Sequence, residues 1–249
     1  MRRGIWITVL AVVAFAAIVI ARLPATWVIP DSNGAFSCAA IDGSIWSGTC
    51  TGLTAQGSSI GDVTWNVHAL RLLTGKLSAN LALNRPTGSL HGDFDVGFDK
   101  AVTARNVQAA FPLQDEAVKL LLPQNLRTLQ GSANVDIAFA RVVNNIVKQI
   151  QGRVEVHDLE DHDRGQVTSL GSYSLTFPGG DGVPQGRLRD LGGPLGIDGT
   201  VSIKQDQPGI DVNTYITPRS DAPAALVDQM QILPRDPQGR IEFATEMYF

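Results

Sequence analysis

The sequence predicts a mainly β protein: one curved, mostly antiparallel sheet or half-open barrel with a few short helices, preceded by a single transmembrane helix. Three observations carry that expectation. From residue 36 onward the dominant hydrophobic period is two, broken at intervals by glycine. Charged residues make up only 18% of the chain against 25 Gly and 13 Pro, a balance that suits many short strands and turns better than long charged helices. Finally, Arg2 and Arg3 stand before an uncharged apolar run from Ile5 to Ala21 in which Thr8 is the one polar group.

That run sits at the lower edge for a membrane span. A helix rises about 1.5 Å per residue and the hydrocarbon core is about 30 Å thick, so Gly4 and a flanking residue or two complete the crossing. Val19 and Ala21 also carry the small-residue spacing of a signal-peptidase site. The run nevertheless exceeds the roughly 7 to 15 apolar residues of a cleavable signal core, and Leu23, Trp27, Val28 and Ile29 continue it. The expectation is an uncleaved anchor, with the basic end in the cytoplasm and the remainder exported. Residues 1–30 then form a cytoplasmic stub, the transmembrane helix and a juxtamembrane segment, and residues 31–249 a β-rich domain.

Within that domain Val63, Trp65 and Val67 alternate with polar residues, as do Leu77, Ala79, Leu81 and Leu83, then Phe94, Val96 and Phe98. The pattern resumes at Val135, Ile137 and Phe139, at Val154 and Val156, at Tyr173, Leu175 and Phe177, at Val201 and Ile203, at Ile210 and Val212, and from Ile241 onward. One face is apolar and the other polar, as in an antiparallel sheet with one wet side. Glycine precedes many of these segments, at Gly75, Gly131, Gly152, Gly199 and Gly239. The irregular spacing argues for successive hairpins rather than a solenoid.

Two segments read as short helices over a sheet end or edge. Leu113 to Leu122 lies between Pro112 and Pro123, with Asp115 and Glu116 early and Lys119 late, in the order that complements a helix dipole. Ala222 to Leu233 follows Ser220 and Asp221 as candidate caps, with Pro223 in the first turn.

Cys38 and Cys50 flank an Asp42-Gly43 turn signal, and a hairpin centred just after it brings them close to cross-strand opposition. A disulfide is expected in an oxidising compartment; in another hairpin register they are two small buried residues. Gly48-Thr49-Cys50-Thr51-Gly52 imitates a nucleophile elbow, but its surroundings read as strand and turn where that motif needs a helix after it. His157 and His162 with Asp158, Glu160, Asp161 and Asp163 read as a solvated hairpin tip, because residues five apart on a strand face opposite ways. His91, Asp93, Asp95 and Asp99 share the wet side of a strand. No phosphate loop, paired-cysteine metal motif or serine with an arranged base occurs, so no catalytic, cofactor or metal residue is expected and the reading is not an enzyme. The net charge of −4 with scattered basic residues excludes nucleic acid.

Ala21-Arg22-Leu23-Pro24-Ala25, then Gly43-Ser44-Ile45-Trp46-Ser47-Gly48, then Ile60-Gly61-Asp62-Val63-Thr64-Trp65 and the stretch Leu70 to Leu77 occur in that order. Together with Gly193-Pro194-Leu195 through Gly199 and a late helix before a last strand, they make the chain resemble the type II secretion system protein N family, also called general secretion pathway protein N. The resemblance implies a bitopic protein of the cell inner membrane with the bulk of the chain in the periplasm. It implies an accessory role in export of folded proteins across the outer membrane, through contacts with other inner-membrane and periplasmic components. It brings no catalytic residue, cofactor or small-molecule substrate, and it assigns no role to the two cysteines. Of the motif residues, Trp46 and Trp65 are expected to anchor the apolar face, and Gly48 and Gly61 to allow tight turns or close strand approach.

Two readings from other classes remain. A curved sheet with one apolar face on a membrane anchor suits an AsmA-like periplasmic lipid-handling protein. An exported chain of alternating strands also suits an outer-membrane β-barrel, although 6% aromatic residues is sparse for two aromatic girdles.

Overall fold

The computed structural model describes Val19 and residues 22–27, 36–163, 165–231 and 233–248. Apart from Val19, the expected anchor Ile5 to Ala21 lies outside the described residues, and among those no helix is long and apolar enough to cross a membrane. The strands described from residue 36 onward form one 14-stranded antiparallel sheet. At one edge β1 (Phe36–Ser37) and β2 (Ala40–Gly43) both pair with β3 (Ser47–Ala55). From there each strand pairs with the next in sequence: β4 (Ser58–Val67), β5 (Lys76–Arg85), β6 (Gly88–Gly97), β7 (Val102–Pro112), β8 (Leu129–Val143) and β9 (Ile146–Asp163). The meander continues through β10 (Gln166–Phe177), β11 (Gln185–Gly192), β12 (Leu195–Ile203), β13 (Gly209–Pro218) and β14 (Ile241–Tyr248). Among the described residues β14 pairs only with β13, so the sheet does not close and the β-barrel reading is corrected.

Register carries the apolar alternation from strand to strand. Trp65 faces Leu81, Val63 faces Leu83, and Leu83 in turn faces Leu90. Farther along, Val135, Val154, Leu175 and Leu188 stand in one cross-strand row, and Val201 faces Val212. Among the described residues no second sheet packs against this face. The largest fully buried side chains are Ile241 and Ser78, and many other apolar residues are half-buried against their row neighbours. Stabilisation therefore rests on cross-strand pairs.

The sheet curls with its apolar face inward. Phe36 on β1, Leu53 on β3, Ile60 on β4, Leu83 on β5, Leu90 on β6 and Phe111 on β7 line one cavity of about 410 Å³. Strands about 4.8 Å apart would spread that row over roughly 25 Å if flat, too far for one small cavity.

Helix α1 (Glu116–Leu121) covers this cavity with Val118 and Leu120. It starts later than the sequence suggests, because Pro112 still belongs to β7 and Asp115 becomes the N-cap, accepting from Ala117 N at 3.0 Å. Arg85 pairs with Asp115 at 2.9 Å and Thr87 donates to it at 3.0 Å, tying α1 to the β5–β6 turn. Helix α2 (Ala224–Met230) is also shorter than expected, and Pro223 is its N-cap rather than part of its first turn.

Three further expectations change. Gly131, Gly152 and Gly199 lie inside β8, β9 and β12 rather than before them. At Gly152 a Cβ would lie 2.4 Å from Asp136 O, so the residue marks a close approach in a bulged ladder and not a turn. Strand β9 runs 18 residues and absorbs His157 to Asp163, which are not a hairpin tip. Phe98 does not continue the apolar face of Phe94 and Val96; it stands in the β6–β7 turn, 90% exposed.

Candidate functional site

The corner formed by β2, β3 and β4 brings the motif residues together. Gly48 in β3 lies opposite Trp65 in β4. A Cβ on Gly48 would lie 2.4 Å from Trp65 Cζ2 and 2.5 Å from Asp42 O, so only hydrogen fits beneath the indole. Trp65 Nε1 donates to Ser44 O at 3.1 Å, and Trp46 O accepts from Val67 N at 2.6 Å. Gly61 has φ +117°, and a side chain there would meet Asn84 O at 2.7 Å. Cys38 and Cys50 are joined across the β2–β3 hairpin, with Cα atoms 5.6 Å apart. The cysteine in the Gly48-Thr49-Cys50-Thr51-Gly52 segment thus has no thiol, and the segment is continuous strand. The geometry at this corner is architecture: a ring wedged over a glycine, with a covalent staple behind it.

The polar clusters separate in space. His157 Nε2 lies 3.4 Å from Glu155 and His162 Nε2 lies 2.9 Å from Glu160, each a local pair along β9. Asp93 is bonded to Asn80 and to Asn106, Asp99 to Arg141, and Asp95 to Arg105 and Arg71. Among the described residues no three His, Cys, Asp or Glu side chains converge as metal ligands. Tyr173 is pushed up to about 12 by burial and then by Asp190, and its hydroxyl donates to Leu170 O, so it remains a neutral structural group.

Asp95 departs from the sequence reading. It is 6% exposed, not part of a wet face, because Arg71 from the β4–β5 turn and Arg105 from β7 cover it. Burial alone would raise its pKa; the Ser78 hydroxyl and the two guanidiniums outweigh that and hold the carboxyl below the usual carboxylate range. A lowered folded pKa means that its stabilisation is present above the unfolded value near 3.8 and is lost as pH falls through the folded value. Asp95→Ala should destabilise the domain by about 2 to 3 kcal/mol at neutral pH. Thermal melts of Asp95→Asn and wild type should differ at neutral pH and converge in acid. The β6–β7 ladder sets Asp93 opposite Arg105, with Asp95 two positions away, a pairing that hydrophobic alternation does not reveal.

Comparison with known proteins adds a family. Residues 35–244 match the model of "Type II secretion system (T2SS), protein N". The chain is also similar to the "Type II secretion system protein N" of Vibrio cholerae serotype O1, 24% identical over 206 residues, covering 82% of this chain and 81% of that protein. No solved structure matches the chain.

Proposed function

The chain belongs to the type II secretion system protein N family and is a component of that secretion system; from this premise we propose that it is an accessory protein of the inner membrane whose periplasmic β domain acts by protein contact. The family match across nearly the whole sheet carries this reading, because it embraces the motif corner and both faces of the meander. Its partners are then other inner-membrane and periplasmic secretion components. Supporting a contact role, the polar groups that suggested chemistry form local pairs, and the one cysteine in an elbow-like segment is bridged. Photo-crosslinking in secreting cells, from reactive residues placed along the wet face of β8 to β12, should give adducts with secretion components. Adducts confined to unrelated proteins would overturn the proposal.

A lipid-handling role is the second reading, favoured by the cavity beneath α1. Its walls are mainly aliphatic and aromatic, and the Arg85 and Asp115 charges there already satisfy one another. Such a lining suits hydrocarbon and would leave a peptide backbone without partners. Photoreactive lipid offered to the detergent-purified full chain should label the cavity lining, Leu53, Leu83 and Leu90, only if this second reading is correct.

A further inference from the structure

We propose that the end of the sheet formed by the β4–β5 and β6–β7 turns rests on the lipid bilayer, with Leu70, Leu73 and Phe98 in the interface and Arg71, Lys76 and Lys100 against anionic headgroups. The inference rests on the anchored reading above.

The turn Ala69–Thr74 holds three leucines outside any strand, and Leu70 and Leu73 are 80% and 85% exposed. Phe98 joins them: a Cβ on Gly75 would lie 2.7 Å from its ring, so the two turns form one apolar patch. Leu77, Val96 and Val102, all exposed, continue the patch along the strand ends. Water-facing apolar clusters of this kind are unfavourable unless something covers them. At the other end of the same strands the β3–β4 and β5–β6 turns carry Gln56 with Gly57 and Pro86 with Thr87, and the leucine-bearing β7–β8 connection is folded over the cavity, which Val118 and Leu120 line.

Position selects what covers the patch. The incoming chain meets this same end of the sheet: Pro24 bridges to Ser44, Leu23 O accepts from Ile45 N at 3.1 Å, and Ala25 is completely buried. Trp46, next to Ile45, bonds Val67, which leads into the leucine turn. If the span ends at Ala21, three Cα steps separate it from Pro24, and at about 3.6 Å each they reach no more than roughly 11 Å. The motif corner must therefore sit at the membrane surface, one strand away from the patch. Trp27, 77% exposed, stands in the same arriving segment, as an interfacial aromatic does.

Charge agrees with an anionic lipid surface. Arg22, Lys76 and Lys100 are exposed at this end, and Arg71 is about half exposed. In the β6–β7 region Asp95 is paired with Arg105 and Arg71 and Asp99 with Arg141, while Asp42 at the motif corner is an exposed carboxylate. Basic residues interleaved with leucine and phenylalanine are the composition of surfaces that seat in an anionic interface.

Among the described residues no cysteine is free, so single engineered thiols can be labelled. Full-length Leu73→Cys, Phe98→Cys and Thr87→Cys proteins, each carrying an environment-sensitive fluorophore, are reconstituted into phosphatidylethanolamine–phosphatidylglycerol vesicles containing doxyl lipid. Labels at 73 and 98 should be quenched severalfold more by doxyl lipid, and less by aqueous iodide, than the label at 87. That contrast should shrink when phosphatidylglycerol is replaced by a neutral lipid. Labels at 73 and 98 as open to iodide as the one at 87 would overturn the proposal, and so would shielding from both quenchers, which indicates a protein cover. Alkaline washing of the vesicles tests the anchor separately: protein that washes off refutes the anchor, whereas retained protein with unquenched labels refutes the docking alone.

Discussion

Replacing Trp65 by Ala should lower the stability of the domain by about 3 to 4 kcal/mol, toward the lower part of the range for truncating a large aromatic because the ring is only half-buried. The ring fills the space left by Gly48, faces Leu81 on β5, and its Nε1 holds the Ser44 carbonyl at the hairpin tip. Truncation removes all three contacts, and neither Gly48 nor Leu81 can move in to fill the gap without bending a ladder. In a domain of this size the loss corresponds to a fall of roughly 10 °C in Tm. Trp65→Phe keeps most of the packing and loses one hydrogen bond, about 1 kcal/mol. Thermal unfolding of the two variants beside wild type checks the ranking, and a loss below about 1 kcal/mol for Trp65→Ala would show that the corner is not packed as described.

Removing the Cys38–Cys50 bridge should have a comparable effect. The residues are 12 apart in sequence, and a loop of that order contributes about 3 kcal/mol in the chain-entropy model. The effect should be concentrated at one edge. Strands β1 and β2 have 2 and 4 residues, too few ladder bonds to hold the edge by themselves. Cys38→Ala with Cys50→Ala should lower Tm and raise amide exchange across β1 to β3 while β8 to β12 stay protected. Free thiols titrating in the unfolded, unreduced protein would contradict the bridge from the outset.

How far the sequence disclosed this fold follows from what its local signals measure. Period-two alternation reports which side chains share a face, and for β4, β5 and β6 the ladder pairs the residues that the alternation had grouped. Glycine reports a turn only when nothing crowds it. At Gly131 and Gly152 a neighbouring strand backbone does, and β8 and β9 run through. The wet face of β6 was legible for Asp93 but not for Asp95, whose covering arginines come from the preceding turn and the following strand. Phe98 matched the alternation of its strand, yet β6 stops one residue earlier at Gly97, where a tight turn closes with Gly97 N donating to Ala101 O at 3.0 Å. Strand ends are set by such turns, which hydrophobic periodicity does not register. At the motif corner the reason for glycine at position 48 emerges only when Trp65 is seen above it.

The central claim, a secretion component that acts by contact rather than by chemistry, is tested most directly by one secretion measurement. Cells lacking this chain receive wild type, the triple variant His157→Ala, His162→Ala and Asp93→Ala, or nothing. Folded substrate in the medium is compared with substrate held in the periplasm, normalised to the abundance of the chain. Each substituted side chain is at least partly exposed and bonds only neighbours on its own or an adjacent strand, so the variant should lose little stability, about 0.5 kcal/mol per site. The account predicts that cells without the chain accumulate substrate in the periplasm and that the triple variant restores export to the wild-type level. Normal export without the chain, or failed export with a folded and abundant triple variant, would contradict it.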